Sequence, residues 1–247
     1  MEVIIQDTPA AMGFSAAKKA AGLILGAIST KGTASIIIAT GTSQFETLKQ
    51  LIAEKEIDWS RVILFHLDEY IGIPDTHPAS FRKYIKERFL EKLPPLKSVY
   101  LIPGEDAPEE TCERMSAIIR QHPVDVALIG IGENSHLAFN DPPADFDTEK
   151  PFLVVQLDEA CRRQQMNEGW FPTLSDVPLQ AISMSVRQIM LSAHIICSVP
   201  DLRKAAAVRD CLEKEVSNLF PATILKNHKS CFLFLDKPAA SLVANTV

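Results

Sequence analysis

The chain has 247 residues and a mass of 27.3 kDa, the size of one large α/β domain, and we predict a single domain over residues 1–247. Its hydrophobic share of 47% and charged share of 23% exclude disordered and low-complexity proteins. The net charge of −6 without a basic run argues against a nucleic acid partner. No uninterrupted apolar run reaches the about 18 residues of a membrane span, so we expect no membrane partner.

Five cysteines occur in the sequence, at positions 112, 161, 197, 211 and 231. Their number is odd, and no pair has the C-x-x-C or Cys/His spacing of a zinc site. We therefore expect reduced thiols, no metal and a cytoplasmic location. The first residues lack a basic region ahead of an apolar stretch, so we expect no signal peptide.

Short β-rich runs alternate with helical patterns along almost the whole chain. Strands are predicted at residues 2–6, 35–39, 62–66, 99–102, 124–131, 152–157, 194–198 and 231–235. The spacing of apolar residues predicts helices at 10–29, 43–54, 80–93, 108–121 and 201–212. Several strands are nearly all apolar, which is typical of parallel strands covered by helices on both faces. The pattern predicts a doubly wound α/β fold with a mostly parallel sheet and a small antiparallel addition near the C-terminus.

Ligands of doubly wound folds bind beyond the carboxyl ends of the strands, and three such segments carry unusual residues. The first contains Thr40, Gly41, Thr42 and Ser43, between a predicted strand and a predicted helix. Glycine allows a tight turn, and hydroxyls with free amides at a helix start can hold a phosphate. A plain helix cap by Thr42 or Ser43 is the alternative.

The second segment opens with two adjacent carboxylates, Asp68 and Glu69. Burial of two carboxylates in apolar company is unfavourable without a partner, so one of them can have a perturbed pKa and shuttle a proton. The alternative is an ordinary pair, in which one carboxylate caps a helix and the other faces water.

The third segment is rich in glycine and polar residues and runs from Gly130 to Pro143. It contains His136, and a histidine among polar groups can act as a general acid or base near neutral pH. Either Glu133 or Asp141 is a candidate to orient its ring and select its tautomer. A purely structural histidine is the alternative.

Together the three segments resemble the motifs of the glucosamine-6-phosphate deaminase/isomerase family. The string D-E-Y-x-G-x-P-x-x-H-P at residues 68–78 and the ending A-F-N-D-P at residues 138–142 are similar to its deaminase branch. The related 6-phosphogluconolactonases share the fold and the glycine–histidine strand end. The resemblance extends from about residue 10 to about residue 235.

This resemblance implies conversion of a hexosamine 6-phosphate into a ketose 6-phosphate and ammonia, without a cofactor. It implies that Asp68 moves a proton between C2 and C1, that His136 opens the sugar ring and that Asp141 holds His136. A lysine at the start of a late helix, Lys204, resembles the phosphate-contacting lysine of the family. The implied substrate- and phosphate-binding residues are Thr40, Gly41, Thr42, Ser43, Glu69, Tyr70, Gly132 and Lys204.

The surroundings of His136 depart from the family pattern. Asn134 stands where the family has an aspartate, and an amide cannot stabilise an imidazolium as a carboxylate does. Glu133 is a candidate to compensate. Asp141 is one methylene shorter than the usual glutamate, which shortens its reach to His136.

The phosphate-binding arginine of the family is missing as well, because Gly169 occupies its position. We hypothesise that Arg162 or Arg163, from the preceding turn, supplies a guanidinium instead. On this hypothesis the Arg163→Ala substitution raises KM strongly.

The predicted function is isomerisation with deamination of a hexosamine 6-phosphate. One alternative is a sugar-phosphate lactonase, in which His136 activates water and Asp68 is not needed. Another is a non-catalytic sugar-phosphate-binding protein, to which Asn134 and the missing arginine point. The expected partner is a small-molecule sugar phosphate. The choice between glucosamine and galactosamine, and between a monomer and a homo-oligomer, stays open.

Overall fold

The computed structural model describes residues 1–244. Its strands are β1 (Glu2–Gln6), β2 (Ala34–Ile38), β3 (Val62–His66), β4 (Asp68–Tyr70), β5 (Ser98–Tyr100), β6 (Val126–Ile129), β7 (Phe152–Gln156), β8 (Gln180–Met184), β9 (His194–Val199) and β10 (Cys231–Asp236). Its α-helices are α1 (Pro9–Lys31), α2 (Phe45–Ile52), α3 (Phe81–Arg88), α4 (Pro108–Ile119), α5 (Glu159–Asn167), α6 (Val186–Met190) and α7 (Ala205–Glu213).

Seven strands form a parallel sheet in the order β1-β10-β9-β6-β2-β3-β5. Strand β2 lies inside it, with Ile36 opposite Leu64 of β3 and Val126 of β6. Ile36 and Ile38 pack into the apolar core on one face of the sheet, and Ile37 packs into the core on the other. Both faces are therefore buried, which explains the nearly continuous apolar strands. The predicted doubly wound α/β fold is confirmed.

Helix α1 is long and apolar enough to cross a membrane by length and composition alone. One of its faces, with Met12, Ala16, Ala20 and Ile24, is fully buried in the core beside β2. Its packing on α2 is close, because a Cβ built at Gly13 would lie 2.5 Å from the Cβ of a residue in that helix. Burial against the sheet and α2 accounts for the apolar residues of this face.

A second, three-stranded antiparallel sheet has the order β4-β8-β7. The predicted antiparallel addition exists, but its position near the C-terminus was wrong. The C-terminal strand β10 instead inserts between β1 and β9 and runs parallel to both. Strand β4 follows β3 after one residue, so the chain leaves the main sheet and enters the small one at Asp68.

Candidate active site

One cavity lies at the carboxyl ends of four neighbouring strands, β9, β6, β2 and β3. Each strand contributes the segment that follows it, which is where ligands bind in doubly wound folds. The predicted residues that line the cavity are Thr40, Gly41, Thr42, Ser43, Asp68, Gly132, His136 and Lys204. Parallel strand order thus gathers residues that lie up to 164 positions apart in the sequence.

The segment after β2 forms a tight turn along the cavity wall. Gly41 has a φ of +99°, a backbone conformation that L side chains rarely adopt. The Thr40 hydroxyl is buried and has no hydrogen-bond partner among residues 1–244. Neither Thr42 nor Ser43 makes a side-chain cap bond where the following helical turn and α2 begin. An unpartnered hydroxyl in a cavity wall fits a ligand-binding role better than a capping role.

Asp68 is the first residue of β4, and only 6% of its surface is exposed. Burial raises the pKa of its carboxyl well above the usual value, and the neighbouring charge of Glu69 raises it further. A carboxylate in this environment binds a proton more readily than one in water. Its position in the cavity wall makes it a candidate general base.

Glu69 does not reach the cavity, contrary to its predicted role in substrate binding. Successive side chains of a strand point to opposite sides, so Glu69 points away from Asp68. Its carboxylate accepts hydrogen bonds from the Ser80 hydroxyl (2.9 Å) and from the backbone N–H groups of Phe81 (3.1 Å) and Arg82 (2.9 Å). It thereby caps the start of α3, the role that the alternative interpretation gave to one carboxylate of this pair.

Tyr70, also predicted to bind substrate, is fully buried and does not line the cavity. Its ring packs against Phe81, Phe139 and Phe171, with centroid distances of 5.0, 5.1 and 5.3 Å. These contacts give Tyr70 a place in an aromatic core beneath the second sheet. The sequence offers no signal that separates this role from contact with a ligand.

His136 and Asp141 form a hydrogen-bonded pair. The His136 Nδ1–H donates to Asp141 Oδ1 over 3.0 Å, because a carboxylate only accepts. Burial favours the neutral form of Asp141, but the bond to His136 and a bond from Asn134 outweigh it and lower the pKa of the carboxyl. The shorter aspartate therefore does reach the imidazole. The Nε2 of the ring remains for the cavity.

Asn134 acts on this pair through Asp141. Its Nδ2 donates to Asp141 Oδ1 (3.0 Å) and to Asp158 Oδ2 (3.2 Å), while its Oδ1 accepts from the backbone N–H of His136. It thus bridges two carboxylates, and it contacts the backbone of His136 rather than its ring. An aspartate here would bring a third carboxylate against the other two, which explains the amide physically.

Gly132 and Glu133 belong to the same segment as His136, and of these two only Gly132 lines the cavity. The His136 ring lies against Gly132, where an added Cβ would stand 2.1 Å from Nε2. Only glycine leaves room for the imidazole. Glu133 does not take over the missing role of an aspartate, because its Oε1 lies 3.9 Å from the Arg203 guanidinium instead. Its backbone N–H donates to Gln164 Oε1.

Helix α5, which the sequence pattern did not predict, forms a wall of the cavity. Gln164 and Gln165 of this helix and Glu168, which directly follows it, line the cavity. The Asp158 side chain accepts a hydrogen bond from the N–H of Cys161 and caps the helix start. This N-cap aspartate was the sequence signal that could have revealed the helix.

Gly169, where the resemblance implies an arginine, has a role in the backbone conformation of this chain. Gly169 has a φ of +84° and follows the last turn of α5. A left-handed residue just past a helix end is most often glycine, because a Cβ is disfavoured there. A glycine at position 169 therefore suits the left-handed backbone that follows the end of α5, and it leaves no side chain there to bind a phosphate.

The structure brings neither Arg162 nor Arg163 to the cavity. Arg162 donates to the backbone carbonyls of Leu174 and Val177. Arg163 is exposed and pairs with Glu159, one turn earlier on the solvent side of α5. A helix places residues four apart on the same face, which explains the pairing.

We therefore expect the Arg163→Ala variant to keep its KM for a sugar phosphate within about twofold, because the side chain does not line the cavity. Its exposed i,i+4 pair with Glu159 adds only about 0.3–0.5 kcal/mol to stability. Steady-state kinetics of the variant beside the wild type measure this. A KM raised tenfold or more would restore the original hypothesis that Arg163 binds the phosphate.

One group among residues 1–244 has metal-ligand geometry, namely His136, Asp141 and Cys161, whose ligand atoms lie within 4.8 Å of one another. Burial raises the pKa of the Cys161 thiol well above its usual value, and the charge of Asp141 adds to this. Metals bind the thiolate, which this environment disfavours. Both oxygens of Asp141 already accept hydrogen bonds, so the group is better described as a hydrogen-bonded cluster.

The family model for glucosamine-6-phosphate isomerases and 6-phosphogluconolactonase matches residues 7–233 of the chain. The chain belongs to this family. This is a family of enzymes. The matched residues include the carboxylate that follows β3, Asp68, and the glycine–histidine segment that contains His136.

Several members of the family are similar to this chain over most of its length. The glucosamine-6-phosphate deaminase of Exiguobacterium sibiricum is 35% identical over 84% of this chain and 81% of its own. That of Bacillus cereus is 32% identical over 100% of this chain and 91% of its own. A solved structure of a monomeric glucosamine-6-phosphate deaminase has a TM-score of 0.88 at 31% identity and covers 98% of this chain and all of that one.

Structures of 6-phosphogluconolactonases are more distant. The enzyme of Thermotoga maritima has a TM-score of 0.78 at 16% identity, over 96% of this chain and 99% of its own. Similarity at this level shows the shared fold alone.

Proposed function

We propose that this enzyme converts a hexosamine 6-phosphate, glucosamine or galactosamine 6-phosphate, and water into a ketohexose 6-phosphate and ammonia in the cytoplasm. The observation that carries the proposal is that Asp68, His136 and Lys204, from three different strand ends, face one cavity. The names of the deaminase relatives at 32–35% identity and of the monomeric deaminase structure support the same reaction. The expected partner is a small-molecule sugar phosphate.

The phosphate is bound at the end of the cavity between Lys204 and the turn from Thr40 to Ser43. Lys204 is buried and lines the same cavity as that turn. An ammonium, hydroxyls and backbone N–H groups are donors that suit phosphate oxygens. Anchoring there sets the distance from the phosphate to the reacting carbons.

Ring opening needs one group that accepts the proton of the anomeric hydroxyl and delivers a proton to the ring oxygen. His136 is suited to this, since its Nδ1–H is held by Asp141 and its Nε2 remains free to exchange a proton. The ionised Asp141 stabilises the imidazolium while the ring holds the extra proton. The product of this step is the open-chain aldehyde.

The isomerisation moves one proton from C2 to C1. Asp68 accepts the C2 proton while the electron pair passes to the aldehyde oxygen, which takes up a proton, so an enolamine with a C1–C2 double bond forms. Asp68 returns its proton to C1, and the resulting C2 iminium releases one N–H proton, which balances the proton taken up by the oxygen. Water then hydrolyses the C2 imine to the ketone and ammonia. A buried carboxylate with a raised pKa is a stronger base for the first transfer than one in water.

The test is ammonia release from the purified protein with glucosamine 6-phosphate and, in parallel, galactosamine 6-phosphate. In D₂O the ketose product of this mechanism carries deuterium at C1, which a lactonase reaction would not introduce. Turnover of one sugar identifies the substrate. No ammonia release with either sugar, together with hydrolysis of a sugar-phosphate lactone, would overturn the proposal.

A further inference from the structure

The end of the cavity beside Lys204 also holds a buried carboxylate, which the resemblance does not assign. The side chains of Glu168 and Lys204 are each 5% exposed, and Glu168 Oε1 lies 3.9 Å from Lys204 Nζ. Oε1 accepts a hydrogen bond from Gln164 Nε2 (2.9 Å), and Oε2 accepts one from Trp170 Nε1 (3.3 Å). These two donors hold the carboxylate in place next to the ammonium.

The Lys204 ammonium, in contrast, has donors available for a ligand. Its distance to Glu168 exceeds that of a hydrogen bond, and within the described part of the chain its Nζ makes no hydrogen bond. Buried donors in proteins normally find an acceptor. Three free N–H groups in a cavity wall therefore point to a ligand with several acceptor oxygens.

Two positive side chains, Lys204 and Arg203, stand against three negative ones near this end of the cavity. Lys204 faces Glu168, while the Arg203 guanidinium lies 3.9 Å from Glu133 and 3.1 Å from Asp201. A phosphate ester is mostly a dianion at neutral pH, because its second pKa is about 6. Oxygens that contact Lys204 come close to the Glu168 carboxylate, and like charges at such distances repel. Glu168 is followed by the uncharged Gly169, so the end of α5 adds no positive charge here.

We propose that Glu168 is a specificity-determining residue, which weakens the binding of phosphate dianions in this cavity and favours the singly charged form. The identity of the natural ligand rests on the proposed function, whereas the binding of phosphate itself requires no turnover. Removal of the carboxylate should therefore tighten phosphate binding, and more so at high pH.

Other ionisable groups surround the site, so the pH dependence of the wild-type Kd alone does not report on Glu168. The quantity to compare is the ratio of wild-type to variant Kd. Lys204, Arg203, Glu133 and Asp201 face the pair from the neighbouring loops, and Tyr70 lies on the core side. The Glu168→Gln substitution leaves these residues in place, but it removes a charge that raises the pKa of the Lys204 ammonium. The ratio of wild-type to variant Kd at a given pH cancels the contributions of the other groups, and the sulfate titration reports any change in the charge of Lys204.

The experiment is titration calorimetry of the full-length protein with inorganic phosphate at pH 5.5 and at pH 8. We expect Glu168→Gln to bind phosphate about tenfold more tightly at pH 8, but less than about threefold more tightly at pH 5.5, where the monoanion dominates. Sulfate is a dianion at both pH values, so its gain should be the same at both.

Two control variants separate charge from packing. Glu159→Gln removes an exposed carboxylate from the same helix and should leave phosphate affinity unchanged. Glu168→Asp keeps the charge and should not tighten binding. If Glu168→Gln binds phosphate no better or more weakly than the wild type, Glu168 merely positions Lys204 and the proposal is wrong.

A parallel assay of ammonia release keeps this outcome apart from that of the proposed reaction. Tighter phosphate binding by Glu168→Gln, with a wild type that releases no ammonia and hydrolyses a sugar-phosphate lactone, would refute the deaminase reaction and support the role of Glu168. Ammonia release by the wild type without tighter phosphate binding by Glu168→Gln would support the deaminase reaction and refute the role of Glu168.

Discussion

The Asp68→Asn variant should lose turnover by about a thousandfold or more in kcat, within the range of 10²–10⁴ that general acid–base groups contribute. Asparagine fills the same space but cannot accept the C2 proton. KM should change little, because the phosphate end of the cavity lies at other strand ends. Ammonia release and deuterium exchange at C1 measure the effect.

The matched control is Asp75→Asn, in the same motif. Asp75 is half-exposed and pairs with Lys86 at the surface, so its loss should leave kcat unchanged. If Asp68→Asn kept more than a tenth of wild-type turnover, the base would be another group, and the proposed roles of the cavity residues would have to be reassigned.

The Asp68→Asn substitution should also raise the free energy of unfolding. Because burial raises the pKa of Asp68, the folded protein binds this proton more tightly than the unfolded chain does. Stability from this group is present at low pH and is lost as the pH rises through the folded-state pKa. A pKa difference of one unit corresponds to about 1.4 kcal/mol. The gain in Tm of Asp68→Asn over the wild type should therefore be larger at pH 8 than at pH 5, which thermal melts at both pH values measure.

The Asp141→Asn variant should lower kcat by about a hundredfold or more, since it removes the group that orients His136 and stabilises its charged form. One carboxylate oxygen of Asp141 pairs with His136 and Asn134, and the other accepts from the backbone N–H of Asp158. An amide offers only one acceptor oxygen. The NH₂ group of the asparagine would therefore either lie against the backbone N–H of Asp158, which is also a donor, or donate to His136 Nδ1 and reverse the tautomer of the imidazole.

The control for this variant is Asp147→Asn, an exposed carboxylate a few residues further along the same loop, which should retain wild-type kcat. Circular dichroism and thermal melts show whether the fold survives. Wild-type turnover by a folded Asp141→Asn enzyme would mean that His136 needs no carboxylate partner, and ring opening would then have to use another group.

Much of the site could be predicted because its signals are local. The glycine turn at Gly41, the carboxylate at Asp68 and the glycine–histidine segment before His136 each directly follow an apolar strand. A parallel sheet aligns strand ends at one edge, so position after a strand predicts position in the cavity. Lys204 follows β9 in the same way, although only the family resemblance pointed to it.

The errors at Glu69 and Arg163 have a different origin. Both residues are next to cavity residues in the chain, but side-chain direction decides whether they reach the cavity. Glu69 lies on the opposite side of β4 from Asp68, and Arg163 lies on the solvent side of α5 beside Glu159. Such directions follow from where an element packs, which spacing between motifs does not reveal.

The sequence alone determined the alternation of strands and helices, the segments that carry chemistry and the family motifs, because each depends on residues close together in the chain. Only the tertiary structure decided that α5 lines the cavity, that Glu168 faces Lys204 and that Asn134 bridges two carboxylates. Glu168 and Lys204 are 36 residues apart in the chain. Their charges meet because strand order and helix packing bring distant segments together, and the net charge at the phosphate end of the cavity depends on that meeting.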